Sequence, residues 1–487
     1  MRPGFVSLSR TVFCCVGLFA LWTSAYDLSV TRQAAAQTDA SASANPLAAA
    51  VCRSGGGIPT IFNRILYVDQ DDGSCSNNGS GSSAKPFCSI QAAVNDGRPG
   101  TAIRIRNAGN PYNESVVVRK SGGPGKPIVI EADEGHKPVL TNTVNTEGAG
   151  GAKGAISIID ASYVAVRNLT FNGFDQVTSM NAIFVDAKTH DTMDVVVMGN
   201  TIVNWAGNAK GRERKGAAIL FSRSYPKRVR IAAIRCNALD GNRFEGITIN
   251  GDDVLVENNL ITRMQCGLAE SEHRDKFYTD AQAIKVNNTN AFDDGKRAIT
   301  GLDLTIRNNY IDGVVKECPY AEMVSPKEMS SGGIWCDVGA AGGKVYGNTI
   351  LNMSGNSRGG WWGIHIESRC DNWHVYDNLV ANSEALPYSA NYRLRNSHGT
   401  IFENNISCGA DRAFWILSNA NKAVTIRNNQ VYGGKQALAV DEAVVNDTAF
   451  ARGNARSALD PSFLTANKHM GAASCPIRPL KALEPQK

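Results

Sequence analysis

The 487-residue sequence lacks most of the features that mark the common functional classes. Charged residues are 20% of the chain and the formal net charge is only +5. That balance gives no basic stripe for nucleic acid, though it suits an acidic partner. No CxxC pair occurs, and the 7 His are scattered, so no zinc site is expected. No 11-residue window of the repeating region carries a helical period, which excludes a helical bundle. The apolar run at 11–22 is too short to span a membrane comfortably. With 43% hydrophobic residues the chain is neither disordered nor collagenous.

What it has in surplus is Gly and Asn, 47 and 43 residues. Both are poor helix formers and tolerate left-handed turns, so many turns are expected. Length alone suggests three domains at about 150 residues each. Arg2 and Arg10 precede the apolar run, and Thr23-Ser24-Ala25 follows it. This is the layout of a signal peptide at 1–25, with an Ala/Ser/Thr-rich linker at 26–60. Export to the periplasm or outside the cell is expected, with no stable membrane insertion after cleavage. Of 12 Cys, Cys14 and Cys15 leave with the leader, and the remaining even number points to disulfides. Cys75 and Cys88 bracket a polar loop and are the most plausible pair; Cys236 and Cys266 are further candidates, and the connectivity stays open.

From about residue 155 a two-part pattern recurs. Runs of alternating apolar residues, opened by a small residue in all but the last two, lie at 155–160, 182–186, 218–222, 246–250, 283–287, 333–337, 363–367, 392–396 and 414–418. Each run is followed by a second short strand ending in Asn: Asn168, Asn200, Asn237, Asn259, Asn309, Asn348, Asn378, Asn405 and Asn429. Repeats of this size mean stacked units. Period-2 alternation makes the units strands, and constant polarity makes the strands parallel. The expectation is an all-β chain: a right-handed parallel β-helix of about ten coils over 141–450, with a tail at 451–487. A β-propeller is the alternative, but its blades need longer regular repeats. One Asn at a fixed turn of each coil predicts an internal amide ladder. Residues 89–94 are expected to form a short helix capping the core, within an N-terminal cap and first coils at 61–140.

Alternation also orders the strand faces. With the Ile residues inward, Lys285, Trp335, His365 and Arg393 form one outward column, and Asn287, Asp337, Glu367 and Arg395 a second. Asp337 and Glu367 are expected to face solvent about 5 Å apart, a spacing at which one carboxyl pKa rises. Such a pair suits a retaining glycosidase. Trp335 offers a face to a sugar ring, and Lys285, Asn287, His365, Arg393 and Arg395 bind or orient the sugar or a uronate carboxylate. Inserted polar segments at 207–216, 267–281, 314–331 and 354–361 are expected to form a wall beside this face.

Residues 64–140 carry Lys85-Pro86 before Ser89-Ile90-Gln91, then Tyr112-x-Glu114, then Ser121-Gly122 and Pro127-Ile128. This order resembles the N-terminal cap of secreted β-helical polysaccharide lyases and glycoside hydrolases. The run Gly333-Ile334-Trp335-x-Asp337, followed by Gly363-Ile364-x-Ile366-Glu367, is similar to β-helical glycoside hydrolases such as β-xylosidases. The resemblance implies a nucleophile at Asp337 and an acid/base at Glu367, acting without a cofactor on a polysaccharide or oligosaccharide, with a monomer expected. The competing chemistry is β-elimination of a uronate polysaccharide, with Lys285, His365, Arg393 or Arg395 as base and Asp337 and Glu367 as Ca²⁺ ligands. The clustered Asp set of calcium-dependent pectate lyases and the NxxKSxxN run of alginate lyases are absent from the sequence. A non-catalytic binding protein or adhesin is the third possibility.

Overall fold

Each repeat folds into one coil carrying three short strands. The description rests on a computed structural model. It covers residues 52, 58–143, 153–174, 179–207, 216–224, 226–270, 277–287, 292–293, 296–297, 301–314, 318, 329–353, 360–381, 389–417, 423–440, 468–470 and 475–476. These lie in the compact unit Asn45–Cys475, apart from residue 476. The expected leader at 1–25 is outside the described residues. Among the described residues no helix is long and apolar enough to cross a membrane.

One coil illustrates the path. Asn181–Ala187 leads to Val195–Met198, then Thr201–Val203, then Ala217–Arg223. The last strand pairs in parallel with the first, Ile183 opposite Ile219. Repetition builds three long sheets of 13, 12 and 12 strands. This is the expected parallel β-helix, and parallel stacking rules out propeller blades. The inner positions stack like on like. Ile219, Ile247, Ile284, Ile334 and Ile364 follow one another at 0–1% exposure. Full burial of each such side chain is worth about 1.5–3 kcal/mol. The short helix is present at Ile90–Asp96, with the Ser89 side chain accepting from the Ala92 N–H. Its buried Ile90, Ala93 and Val94 close the interior at this end.

The Asn ladder runs through eight coils, Asn200 to Asn429. In Asn309 the backbone N–H and the side-chain Nδ2 both donate to Asn348 Oδ1 at 3.0 Å. The same Nδ2 donates to the Val256 carbonyl at 3.0 Å, and Asn309 Oδ1 accepts from Asn259 N–H and Nδ2 at 3.0 and 2.9 Å. Both polar atoms of the buried Asn309 side chain are thereby paired. The residue before each ladder Asn is left-handed, with φ between +53° and +66°. That requirement explains Gly199, Gly347 and the Asn-Asn doublets. Asn168 corrects the expected series. It holds the left-handed position itself (φ +58°), and Leu169 takes the ladder site, donating its N–H to Asn200 Oδ1.

Five disulfides tie distant parts of the chain. Cys75 pairs with Cys88 as expected. Cys236 and Cys266 pair with Cys52 and Cys318. Cys336–Cys370 and Cys408–Cys475 complete the set. Such a set fits folding in an oxidising, extracytoplasmic compartment. Much of each inserted segment lies outside the described residues. Their described ends are strand: Gly267–Glu270 pairs antiparallel with the start of Phe277–Asn287. The strands Met329–Val338 and Gly360–Glu367 likewise begin before the small residues at 333 and 363.

The two kinds of Asn should differ in their contribution to stability. Asn309→Ala orphans buried groups on both neighbouring coils and should cost about 1–3 kcal/mol for each unsatisfied group. Asn168→Gly keeps the left-handed turn and should cost no more than a few tenths. Equilibrium urea unfolding of the two variants checks this; equal losses would contradict the assignment.

Candidate active site

The strands 245–249, 277–287, 329–338, 360–367, 390–395 and 412–417 lie side by side in one 12-stranded sheet. Their pairing forms the first expected column: Lys285 opposite Trp335, Trp335 opposite His365, His365 opposite Arg393. Thr248 extends it on one side and Trp415 on the other. The second column forms only in part. Glu367 lies opposite Arg395, but a register shift after Val286 pairs Asn287 with Val338. Asp337 is the extra residue of this β-bulge, a device that re-aims a side chain.

A third column lies beside them: Glu245, Gln282, Gly332, Trp362, Ala390 and Arg412. Simple alternation misses it because two consecutive residues point inward at a corner. Ala283 and Ile284 are both fully buried. A Cβ on Gly333 would meet Ile350 at 2.8 Å across the interior, and Asn391 donates there to the Val380 carbonyl at 3.1 Å. The phase of alternation therefore flips at the corner. Asp280, Gln282 and Trp362, before it, face the same way as Lys285, Trp335 and His365, after it. The Ala or Gly that opens most runs is the signal, since little space is left at the corner; on the 390–395 strand Asn391 takes that place and is held by the Val380 carbonyl.

The face is covered rather than solvated, contrary to expectation. Lys285, His365 and Glu367 are 6%, 1% and 7% exposed, and the Asp337 side chain is 26% exposed. Lys285 Nζ lies 3.0 Å from Asp280 Oδ2, 3.1 Å from Glu245 Oε1 and 3.6 Å from Asp337 Oδ2. Burial opposes its charge, but Asp280, Glu245 and Asp337 together hold it well above the ordinary lysine range. Trp335 has both faces occupied: Lys285 Nζ sits 4.5 Å from the ring centre, and His365 stacks parallel to it at 5.7 Å. Only the indole edge is left for a ligand, so the expected stacking platform is not formed. Trp362 is covered by Arg393 at 4.4 Å, and Arg393 also lies over Trp415.

Glu367 connects the carboxylate and arginine ends. Its Oε2 is 3.4 Å from His365 Nε2 and 3.7 Å from Arg395. Burial, reinforced by the negative charge of Asp337, pushes its pKa up to about 7, against the pull of Arg393 and Arg395. His365 is driven the other way, well below the ordinary imidazole value, by burial and then by the charges of Arg393 and Arg395. Burial lowers Arg393 to about 10. Several buried polar atoms on this face have no hydrogen-bond partner: Gln282 Oε1, Trp362 Nε1, His365 Nδ1 and Arg393 Nε. Buried polar groups are normally paired, so these atoms retain hydrogen-bonding capacity on this face. Among the described residues no group of three or more His, Cys, Asp or Glu could hold a metal ion. Glu245, Asp280, Trp362, Trp415 and Arg412 were not expected here from alternation alone.

No protein-family model and no curated protein sequence matches the chain. Solved structures similar to it share 11–14% identity. The structure of XylC with xylose gives a TM-score of 0.47 at 12% identity, over 77% of this chain and 86% of that one. A lacto-N-biosidase from Eubacterium ramulus gives 0.44 at 12%, over 78% and 68%. The surface protein and adhesin PfbA of Streptococcus pneumoniae gives 0.46 at 14%, over 70% and 86%.

The raised Glu367 pKa carries a stability signature. The native state holds a proton that the unfolded chain has released between about pH 4.5 and 7, so stability falls as pH rises through that window. Glu367→Gln should remove this slope. Urea midpoints at pH 5 and pH 8 should diverge for the wild type more than for Glu367→Gln; equal slopes would contradict the burial of this carboxyl.

Proposed function

We propose that this chain is an exported, secreted or periplasmic enzyme that hydrolyses a glycosidic bond of a polysaccharide or oligosaccharide with retention. Asp337 attacks the anomeric carbon. Glu367 protonates the leaving oxygen and then activates water. The observation that carries this is Glu367, whose pKa of about 7 suits an acid that later acts as base. Asp337, more exposed and 3.6 Å from the Lys285 ammonium, suits the part of the charged partner. Arg395, exposed on the second column, and Arg393 face hydroxyls or the carboxylate of an acidic sugar.

β-Elimination is the second reading. It is favoured by His365, which is neutral at neutral pH, and by two Arg able to neutralise a uronate. Lys285 does not serve as its base, because its carboxylate neighbours keep the ammonium protonated. Incubation with neutral and uronate polysaccharides separates the chemistries. New reducing ends without ultraviolet absorbance support hydrolysis; the absorbance of an unsaturated uronate means elimination; binding with neither means a binding protein.

If the hydrolytic reading holds, Glu367→Gln should lower kcat/KM by about 10²–10⁴-fold. Asp337→Asn should lower it at least as much. Wild-type kcat/KM should fall as pH rises past about 7, where Glu367 loses its proton. Wild-type rates in both variants would remove the assignment.

A further inference from the structure

Lys285 is placed as a reagent by alternation, but its surroundings give it a different task. Its nitrogen is turned toward protein carboxylates. Asp280 and Glu245 grip the nitrogen at 3.0 and 3.1 Å, from its own strand and from the preceding coil. Both grips are themselves held. Gln282 Nε2 donates to Asp280 Oδ1 at 2.6 Å, the Ala281 N–H donates to the same oxygen at 3.1 Å, and the Thr248 hydroxyl donates to Glu245 Oε2. The Trp335 ring covers the ammonium from the following coil. Only 7% of its side chain is exposed. The third carboxylate it meets is Asp337, at 3.6 Å and far more exposed than the other two.

Asp337 needs such a fixture. It is the extra residue of a bulge, so the sheet register does not set the direction of its side chain. The Cys336–Cys370 disulfide pins its backbone to the coil that carries Glu367, one residue before Asp337 and three after Glu367. Backbone and carboxylate are thus anchored from two sides.

We propose that Lys285, mounted on Asp280 and Glu245, is a positioning residue that orients Asp337 and keeps it ionised, and does not touch substrate. This rests on the nucleophile role given to Asp337. Among the described residues, the charged or titratable groups of this face are Lys285, Glu245 and Asp280 on the mount, and Glu367, His365, Arg393 and Arg395 on the following coils.

The test is a carbon-13 NMR titration of Asp-labelled full-length protein, with Asp337 assigned by its loss in Asp337→Asn. Lys285→Met alone strands two buried carboxylates and can unfold the coil. The neutral triple variant Glu245→Gln/Asp280→Asn/Lys285→Met removes the whole mount without stranding charge. In folded Lys285→Met the Asp337 carboxyl should titrate higher by about one pH unit or more. The acidic limb of kcat/KM should move up with it, and kcat should fall with KM nearly constant. The triple variant removes one positive and two negative charges, so its readout is kcat, which should fall as in Lys285→Met with KM nearly constant. An unmoved Asp337 resonance in folded Lys285→Met, or a wild-type kcat in the triple variant, overturns the proposal. So does a loss confined to KM, which would make Lys285 a substrate contact. A shifted resonance in a protein that cleaves no glycoside leaves the mount standing and removes the hydrolase reading instead.

Discussion

The structure depends on each coil resting on the last without slipping. A one-residue slip in a strand sends every outward side chain inward. The Asn ladder prevents this at the turn between two of the sheets. Its side-chain amides bond to the coils on both sides, so a slip would leave several buried groups unpaired at once. The functional face belongs to the third sheet, whose long strands inherit that register. There the two-residue corner turns the strand without breaking the pairing on either side. Residues up to 50 positions apart in the chain are thereby delivered to neighbouring places, as Lys285 and Trp335 are.

The face holds charge in places where water is largely excluded. Four acids, Glu245, Asp280, Asp337 and Glu367, are interleaved with Lys285, Arg393, Arg395 and Arg412. The indoles act as spacers between cations, each ring covered by an ammonium or a guanidinium. Because the acids see different neighbours, their protonation diverges, and a single face can carry a proton donor beside a charged carboxylate. The unpaired polar atoms left over are a cost to folding, and such costs concentrate where a protein binds or reacts.

Much of this was legible in the sequence. The repeat, the parallel coils and the column from Lys285 to Arg393 follow from alternation after the small opening residue. The residues before that opening were not legible, because two adjacent inward positions reverse the phase, and Asp280 and Trp362 change sides as a result. The bulge at Asp337 was hidden for a related reason, since one extra residue leaves local alternation intact and appears only against the neighbouring strand. Asn168 reads like a ladder residue because Asn suits both a left-handed turn and an amide stack. The disulfide partners of Cys236 and Cys266 lie far along the chain, and spacing carries no information about them. Trp335 was expected as a platform because sequence shows a ring without showing what already covers it.

The central claim is that Asp337 and Glu367 cleave a glycosidic bond through a double displacement at one carbon. The most direct measurement is the proton NMR spectrum of the first sugar product, recorded before it mutarotates. The account predicts the same anomeric configuration as the bond that was cut. An inverted anomer would contradict the nucleophile role of Asp337, and an unsaturated uronate end would contradict hydrolysis itself.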